Sequence, residues 1–235
     1  MYRALSVGFI LGLSHALEPD HLVAVGTLGA ESSALRRASV LGACWGAGHT
    51  TTLLIVGGAI LALKLVMPDS ISRYLELLVG AMIVLLGVRV LVRAVMGLSA
   101  HSDEHIDGSA VHHRHFLGHT VSRPPEHSRI TSRHPIHGAA IRAFTVGTIH
   151  GLAGSGALAV AVMSTMPSAL FGLGYIGLFG IGSTGGMLLM STAMGLPFVW
   201  VNSRPPRWRN GARALIGLIA VGFGVSYLGR FLFGW

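Results

Sequence analysis

The run Ser14-His15-Ala16-Leu17-Glu18-Pro19-Asp20-His21 concentrates two imidazoles and two carboxylates inside an otherwise apolar stretch. Neutral imidazole nitrogens beside a carboxylate suit borderline divalent ions such as nickel, cobalt, copper or zinc, whereas calcium and magnesium want mostly oxygen. In a bilayer each ionisable side chain costs about 2.5–3.5 kcal/mol on insertion scales, so the set must face a cavity or itself rather than lipid. Pro19 has no N–H for the carbonyl of His15 and predicts a broken helix at that point. On an unbroken helix His15 and Asp20 would point about 140° apart; a break can turn His15, Asp20 and His21 to one centre. Two more histidines fall inside apolar segments, His49 and His150. His49 sits in Gly46-Ala47-Gly48-His49-Thr50-Thr51-Thr52, where glycines permit close backbone approach and hydroxyls offer a polar lining. Glu18 can serve as a ligand, as a cavity wall or as a partner for His21. The same groups could also form a structural hydrogen-bonded knot, or a proton relay of the kind His and Asp chains provide in transporters. Metal binding needs neutral imidazoles, so affinity should fall as pH drops below roughly 6.5.

The elements that must hold these residues read as membrane spans. Hydrophobic residues make up 51% of the 235 and charged residues only 11%, against roughly 25% charged in a soluble domain. Positions 40–63 and 77–86 contain no Asp, Glu, Lys or Arg, and runs of this kind are candidates for bilayer spans. Most of the 33 glycines lie within the apolar segments, where in lipid small residues let helices pack closely. Hydropathy predicts six spans, near 4–29, 39–66, 74–98, 140–166, 172–200 and 211–234. The first is a span rather than a cleaved leader, because its polar centre is foreign to a signal peptide. A net charge of +8 raises the question of nucleic acid, but no aromatic stacking platform accompanies the arginines. A single cysteine, Cys44, excludes an internal disulfide framework and a two-cysteine redox relay.

Three echoes divide the chain in two. Gly12-x-x-His15-x-Leu17 recurs as Gly147-x-x-His150-x-Leu152, and Gly46-x-Gly48-x-Thr50 as Gly180-x-Gly182-x-Thr184. Gly80 with Gly87-Val88 recurs as Gly217 with Gly224-Val225. An odd number of spans per half inverts the second half relative to the first, an architecture common in transporters. The expected fold is therefore an all-α integral membrane protein of two inverted three-helix repeats, 1–98 and 140–235. The polar stretch 99–139 lies between them. It holds nine histidines and few apolar residues, which predicts a disordered loop able to capture or sense transition metal.

Orientation follows from the basic residues. Loops on one side carry thirteen (Arg36, Arg37, Arg89, Arg93, Arg114, Arg123, Arg129, Arg133, Arg142, Arg204, Arg207, Arg209 and Arg213) against four on the other (Arg3, Lys64, Arg73 and Arg230). That places the His-rich loop in the cytoplasm and both termini outside the cytoplasmic (inner) membrane.

His15-x-x-x-x-Asp20-His21 resembles the signature of the nickel/cobalt transporter superfamily, and Gly48-His49-Thr50 resembles its second motif. The stretch Ile149-His150-Gly151-Leu152-Ala153-Gly154-Ser155-Gly156 is similar to the corresponding segment of that superfamily's smaller, urease-accessory-type membrane proteins. The resemblance implies that His15, Asp20 and His21 take part in selecting nickel or cobalt, with His49 close by. The chain departs from the longer importers in having six spans, Ser14 before His15, and Glu18-Pro19 in place of Ala-Asp. The expectation is a non-enzymatic transporter of Ni²⁺, or alternatively Co²⁺, through a site of His15, Asp20, His21 and His49, supported by His150 and Glu18. The metal is cargo rather than a resident cofactor. Its partners are the lipid bilayer, the ion and a cytoplasmic metallochaperone, with no nucleic acid. Two rivals remain: a proton-coupled exporter of a non-metal solute, and a membrane factor that delivers metal to a metalloenzyme such as urease. An intramembrane enzyme has less in its favour, since HExxH is absent.

Overall fold

Long apolar sequences with few breakers fold as helices because every backbone polar group is then satisfied within its own segment. A computed structural model of the chain describes residues 2–30, 32, 34–63, 68–99, 135–151 and 168–233. Among these it has seven helices: α1 (Tyr2–His15), α2 (Pro19–Ala30), α3 (Leu35–Leu63), α4 (Asp69–Ser99), α5 (Pro135–His150), α6 (Ala169–Asn202) and α7 (Pro206–Phe233). Helices α3, α4, α6 and α7 are each long and apolar enough to cross a membrane. Helix α1, at about 21 Å from its length and a rise of 1.5 Å per residue, is too short alone and reaches a span's length only together with α2. The chain has the helices of a membrane protein, and its outer faces agree: Ile55, Leu85, Leu170 and Ile181 are exposed, as side chains facing lipid are.

Three helices, α2, α5 and α7, open on a proline, where its fixed φ is helical and its missing N–H would be unpaired anyway. Helix α6 opens at Ser168, whose hydroxyl accepts the Phe171 N–H. The expected first span is thus two helices with a break at 16–18. Helix α5 starts at Pro135, inside the stretch read as loop, and ends at His150. The remainder of the expected fourth span, 152–166, and most of the His-rich stretch lie outside the described residues.

Packing pairs α3 with α6 and α4 with α7, while α1 lies on α6 and α5 lies on α3. Helix α2 touches α4, α6 and α7. Glycines make the closest crossings. A side chain on Gly12 would strike the Phe179 carbonyl, and one on Gly147 the Trp45 carbonyl. Gly182 meets the Phe9 carbonyl, and Gly48 meets that of Phe144. Where α3 crosses α6, the hydroxyls of Thr50 and Thr184 lie 2.9 Å apart, and Thr50 also donates to the Gly180 carbonyl. Between α4 and α7, Gly87 lies on the Gly217 carbonyl and Gly224 on that of Gly80. Close backbone approach of this kind is how helices associate in lipid, where apolar burial supplies little drive. Trp45, Met187, Ala16 and Ala143 fill the centre where α1, α3, α5 and α6 meet.

Candidate metal centre

Two tight turns end α1, with the Leu17 N–H donating to the Ser14 carbonyl and the Glu18 N–H to that of His15. The Glu18 carbonyl then accepts the N–H of Leu22 and starts α2. The change of axis lets His15, the last residue of α1, and Asp20 and His21, in the first turn of α2, look toward a common point. Asp20 also sits where the partial positive charge of a helix N-terminus favours a carboxylate.

Helix α3 brings His49 and α5 brings His150 to the same place. His15, His21, His49 and His150 are 3%, 1%, 0% and 1% exposed, so none of them reaches bulk solvent. The His15 and His49 Nε2 atoms face each other at 3.2 Å. The ring of His21 lies 4.3 Å from that of His15 and 4.1 Å from that of His150, centroid to centroid. Asp20 accepts from His21 Nδ1 at 3.1 Å on one oxygen and from His150 Nε2 at 2.9 Å on the other. Glu18 accepts from His15 Nδ1 at 3.0 Å. Two donor sets result: His15, His21 and His49, and Asp20, His21 and His150. Within each set, the candidate ligand atoms lie within 4.8 Å of one another.

The hydrogen bonds define what each ring has left. With Nδ1–H of His15 and His21 held by Glu18 and Asp20, their Nε2 lone pairs are the functions turned to the centre. An imidazole fixed by a carboxylate on one nitrogen and open on the other is the arrangement in which histidine binds metal well. His21 Nε2, His49 Nδ1 and His150 Nδ1 are buried and find no hydrogen-bond partner among the described residues. Buried polar atoms are otherwise nearly always paired, and each orphan costs about 1–3 kcal/mol. Two Nε2 atoms face to face pair either through one shared proton or through a cation between them.

Every sequence-derived candidate therefore converges: His15, Asp20, His21, His49 and His150 share one centre, and Glu18 stands at its edge as the partner of His15 rather than of His21. The hydroxyls of Thr50, Thr51 and Thr52, expected as polar lining, are instead engaged in helix packing and backbone hydrogen bonds. The cluster's ceiling is aromatic. Trp45 lies 5.4 Å from the His21 ring and 5.5 Å from that of His150, and Phe179 lies 5.4 Å from that of His15.

Comparison with known proteins gives a relative 36% identical over 230 residues, 95% of this chain and 90% of its own length: the urease accessory protein UreH of Bacillus sp. (strain TB-90). The chain belongs to the UreH family of urease accessory proteins. Two Arabidopsis thaliana proteins, the chloroplast proteins FOR GROWTH AND FERTILITY 1 and 2, are each 27% identical to this UreH-family chain over 228 residues, 97% of it. The chain spans 59% and 56% of their lengths. No family model matches it, and no solved structure does.

Sequence reading missed two aromatic neighbours of this centre and a polar pair between α4 and α7. Trp45 and Phe179 precede the glycine motifs of α3 and α6 at matching distances, Trp45 by one residue before Gly46 and Phe179 by one before Gly180, so the repeat offset would have paired them. Glu76 on α4 accepts a hydrogen bond from the Tyr227 hydroxyl on α7. The available signal was Glu76 as the single carboxylate of the expected span 74–98.

Proposed function

We propose that this chain carries a divalent transition-metal ion across a membrane, with nickel as the cargo that best fits and cobalt as the alternative. The carrying observation is the buried gathering of four imidazoles and Asp20 at a helix break, where three ring nitrogens have no partner among the described residues. His15, His21 and His49 supply nitrogen ligands, Glu18 and Asp20 orient His15 and His21, and Asp20 with His150 supplies a second donor set that shares His21. Sharing His21 lets an ion pass between the sets by exchanging ligands rather than by leaving the protein. The resemblance of His15-x-x-x-x-Asp20-His21 to the nickel/cobalt signature selects among the borderline ions, and the name of the Bacillus relative, a urease accessory protein, ties such a cargo to metalloenzyme supply.

The glycine contacts support an inverted repeat. Exchanging each residue for its equivalent in the other half turns Gly12 on Phe179 into Gly147 on Trp45, and Gly182 on Phe9 into Gly48 on Phe144. Each half thus lends its first helix to the other's second. The hydrogen bond between Thr50 and Thr184, equivalent residues in the two halves, falls where a two-fold axis would pass. Alternating access then consists of one half rocking against the other about this seam. The inner membrane, external termini and a cytoplasmic His-rich loop able to exchange metal with a metallochaperone complete the reading.

The test is uptake of radiolabelled nickel into vesicles bearing the full chain, His15→Ala or Asp20→Asn, at matched expression. Flux with the full chain and little with either variant is expected. Undiminished flux in the variants would remove the assigned site. The relative's name also favours a delivery role without flux. In that case the purified chain binds nickel while vesicles stay impermeable to it.

A further inference from the structure

Beyond the histidine centre, toward the end of the molecule where α2 stops and α3 starts, lies a cavity of about 240 Å³. Arg37 from α3, Arg89 from α4 and Arg142 from α5 line it, beside an apolar wall that includes Leu28, Leu86 and Val146. Among the described residues, no carboxylate lines it. Arg37 Nε is buried and has no hydrogen-bond partner among the described residues. Arg37 and Arg142, like charges on separate helices lining one small volume, favour an anion between them.

Depth narrows the anion's identity. Thr27, which also lines the cavity, is about 9 Å along α2 from His21 at 1.5 Å per residue. The Asn202 side chain donates to the Ser32 carbonyl at 3.0 Å, which sets the turn between α6 and α7 level with the end of α2. That turn carries exposed Trp200 and Trp208, and tryptophan gathers at the headgroup level of a bilayer. The cavity therefore lies at, or just inside, the headgroup layer. We propose that it binds a phosphate-bearing anion, the chemistry of an acidic phospholipid headgroup. Guanidinium groups fork onto phosphate oxygens, and Leu28, Leu86 and Val146 receive the first carbons of an acyl chain. Basic pockets between membrane helices on the cytoplasmic side are known to take such headgroups. Occupancy also has a consequence for a cation. Gathered positive charge on this side of the histidine centre opposes its passage, and a bound anion lowers that barrier. The site stands whatever the cargo proves to be.

The experiment measures retention of phosphatidylglycerol by the purified full chain from nanodiscs of phosphatidylcholine with and without phosphatidylglycerol, read by native mass spectrometry. Inorganic phosphate is titrated in phosphatidylcholine alone as a second arm. Phosphatidylglycerol should be retained over phosphatidylcholine, and the Arg37→Gln/Arg142→Gln double variant should bind it about tenfold more weakly. Arg207→Gln, on the same face but outside the cavity, should bind as the parent does. Arg142→Lys keeps the charge and should lose less than Arg142→Gln, which separates a ligand role from a folding defect. A response to inorganic phosphate alone, abolished in the double variant, would uphold the anion site and assign it to a soluble phosphate. Retention equal in parent and double variant, or no preference for phosphatidylglycerol and no phosphate response, overturns it.

Discussion

Asp20 joins α2 to α5 through one carboxylate, each oxygen accepting from a different imidazole. An asparagine there keeps the shape but presents one acceptor and one donor, so either His21 or His150 must lose its bond or change its tautomer. Loss of such an orienting partner lowers metal affinity by roughly 10- to 100-fold. Asp20→Asn should therefore fold normally and bind nickel that much more weakly by isothermal titration. An unchanged affinity would mean that the carboxylate serves structure alone. The residue types and spacing made this cluster legible, because two imidazoles and two acids around a proline in an apolar run must turn toward one another or toward a cavity. What spacing could not reveal is which carboxylate serves which ring. Glu18 pairs with His15 three residues back, and Asp20 with its neighbour and with a residue 130 positions on. Side-chain direction after a helix break decides that.

Pro19 and the crossing glycines act through whole helices. Replacing Pro19 by Ala restores an N–H that can donate to the His15 carbonyl, letting α1 run into α2 and swinging Asp20 and His21 away from His15. Pro19→Ala should thus keep its helical circular dichroism yet lose about tenfold or more in nickel affinity. Gly147 and Gly177 give a paired test of packing. A methyl on Gly147 collides with the Trp45 carbonyl, while one on Gly177 meets nothing within 4 Å. Gly147→Ala should lower thermal stability in detergent by about 1–3 kcal/mol, whereas Gly177→Ala should be neutral or gain up to about 1 kcal/mol from helix propensity. Equal effects at the two sites would count against the close crossing of α5 on α3. The glycine echoes were visible in the sequence as motifs. That each glycine meets the other half rather than its own depends on which helices become neighbours, and no local pattern encodes it.

At the scale of the molecule, basic charge gathers at one end. Arg37, Arg89 and Arg142 share a cavity, Arg213 donates to the Ala30 carbonyl, and Arg204 stacks over Trp200 at 4.3 Å. If this end faces the cytoplasm, single-cysteine variants in a Cys44→Ser background will report it. Trp208→Cys should react with an impermeant maleimide only after the cells are opened, and Tyr74→Cys, also exposed, should react in intact cells. The reverse pattern would invert the orientation.

Composition and hydropathy alone determined that the chain is helical and apolar enough for a membrane, because a bilayer admits so few backbone solutions. They also singled out His15, Asp20, His21, His49 and His150, since ionisable groups in lipid need a reason. Only the tertiary structure decided that these five meet at one centre, that Trp45 and Phe179 cover it, and that three arginines distant in sequence enclose a cavity beside it. The physical reason is the same in each case: contacts between helices are set by close packing of distant surfaces, to which local spacing is blind.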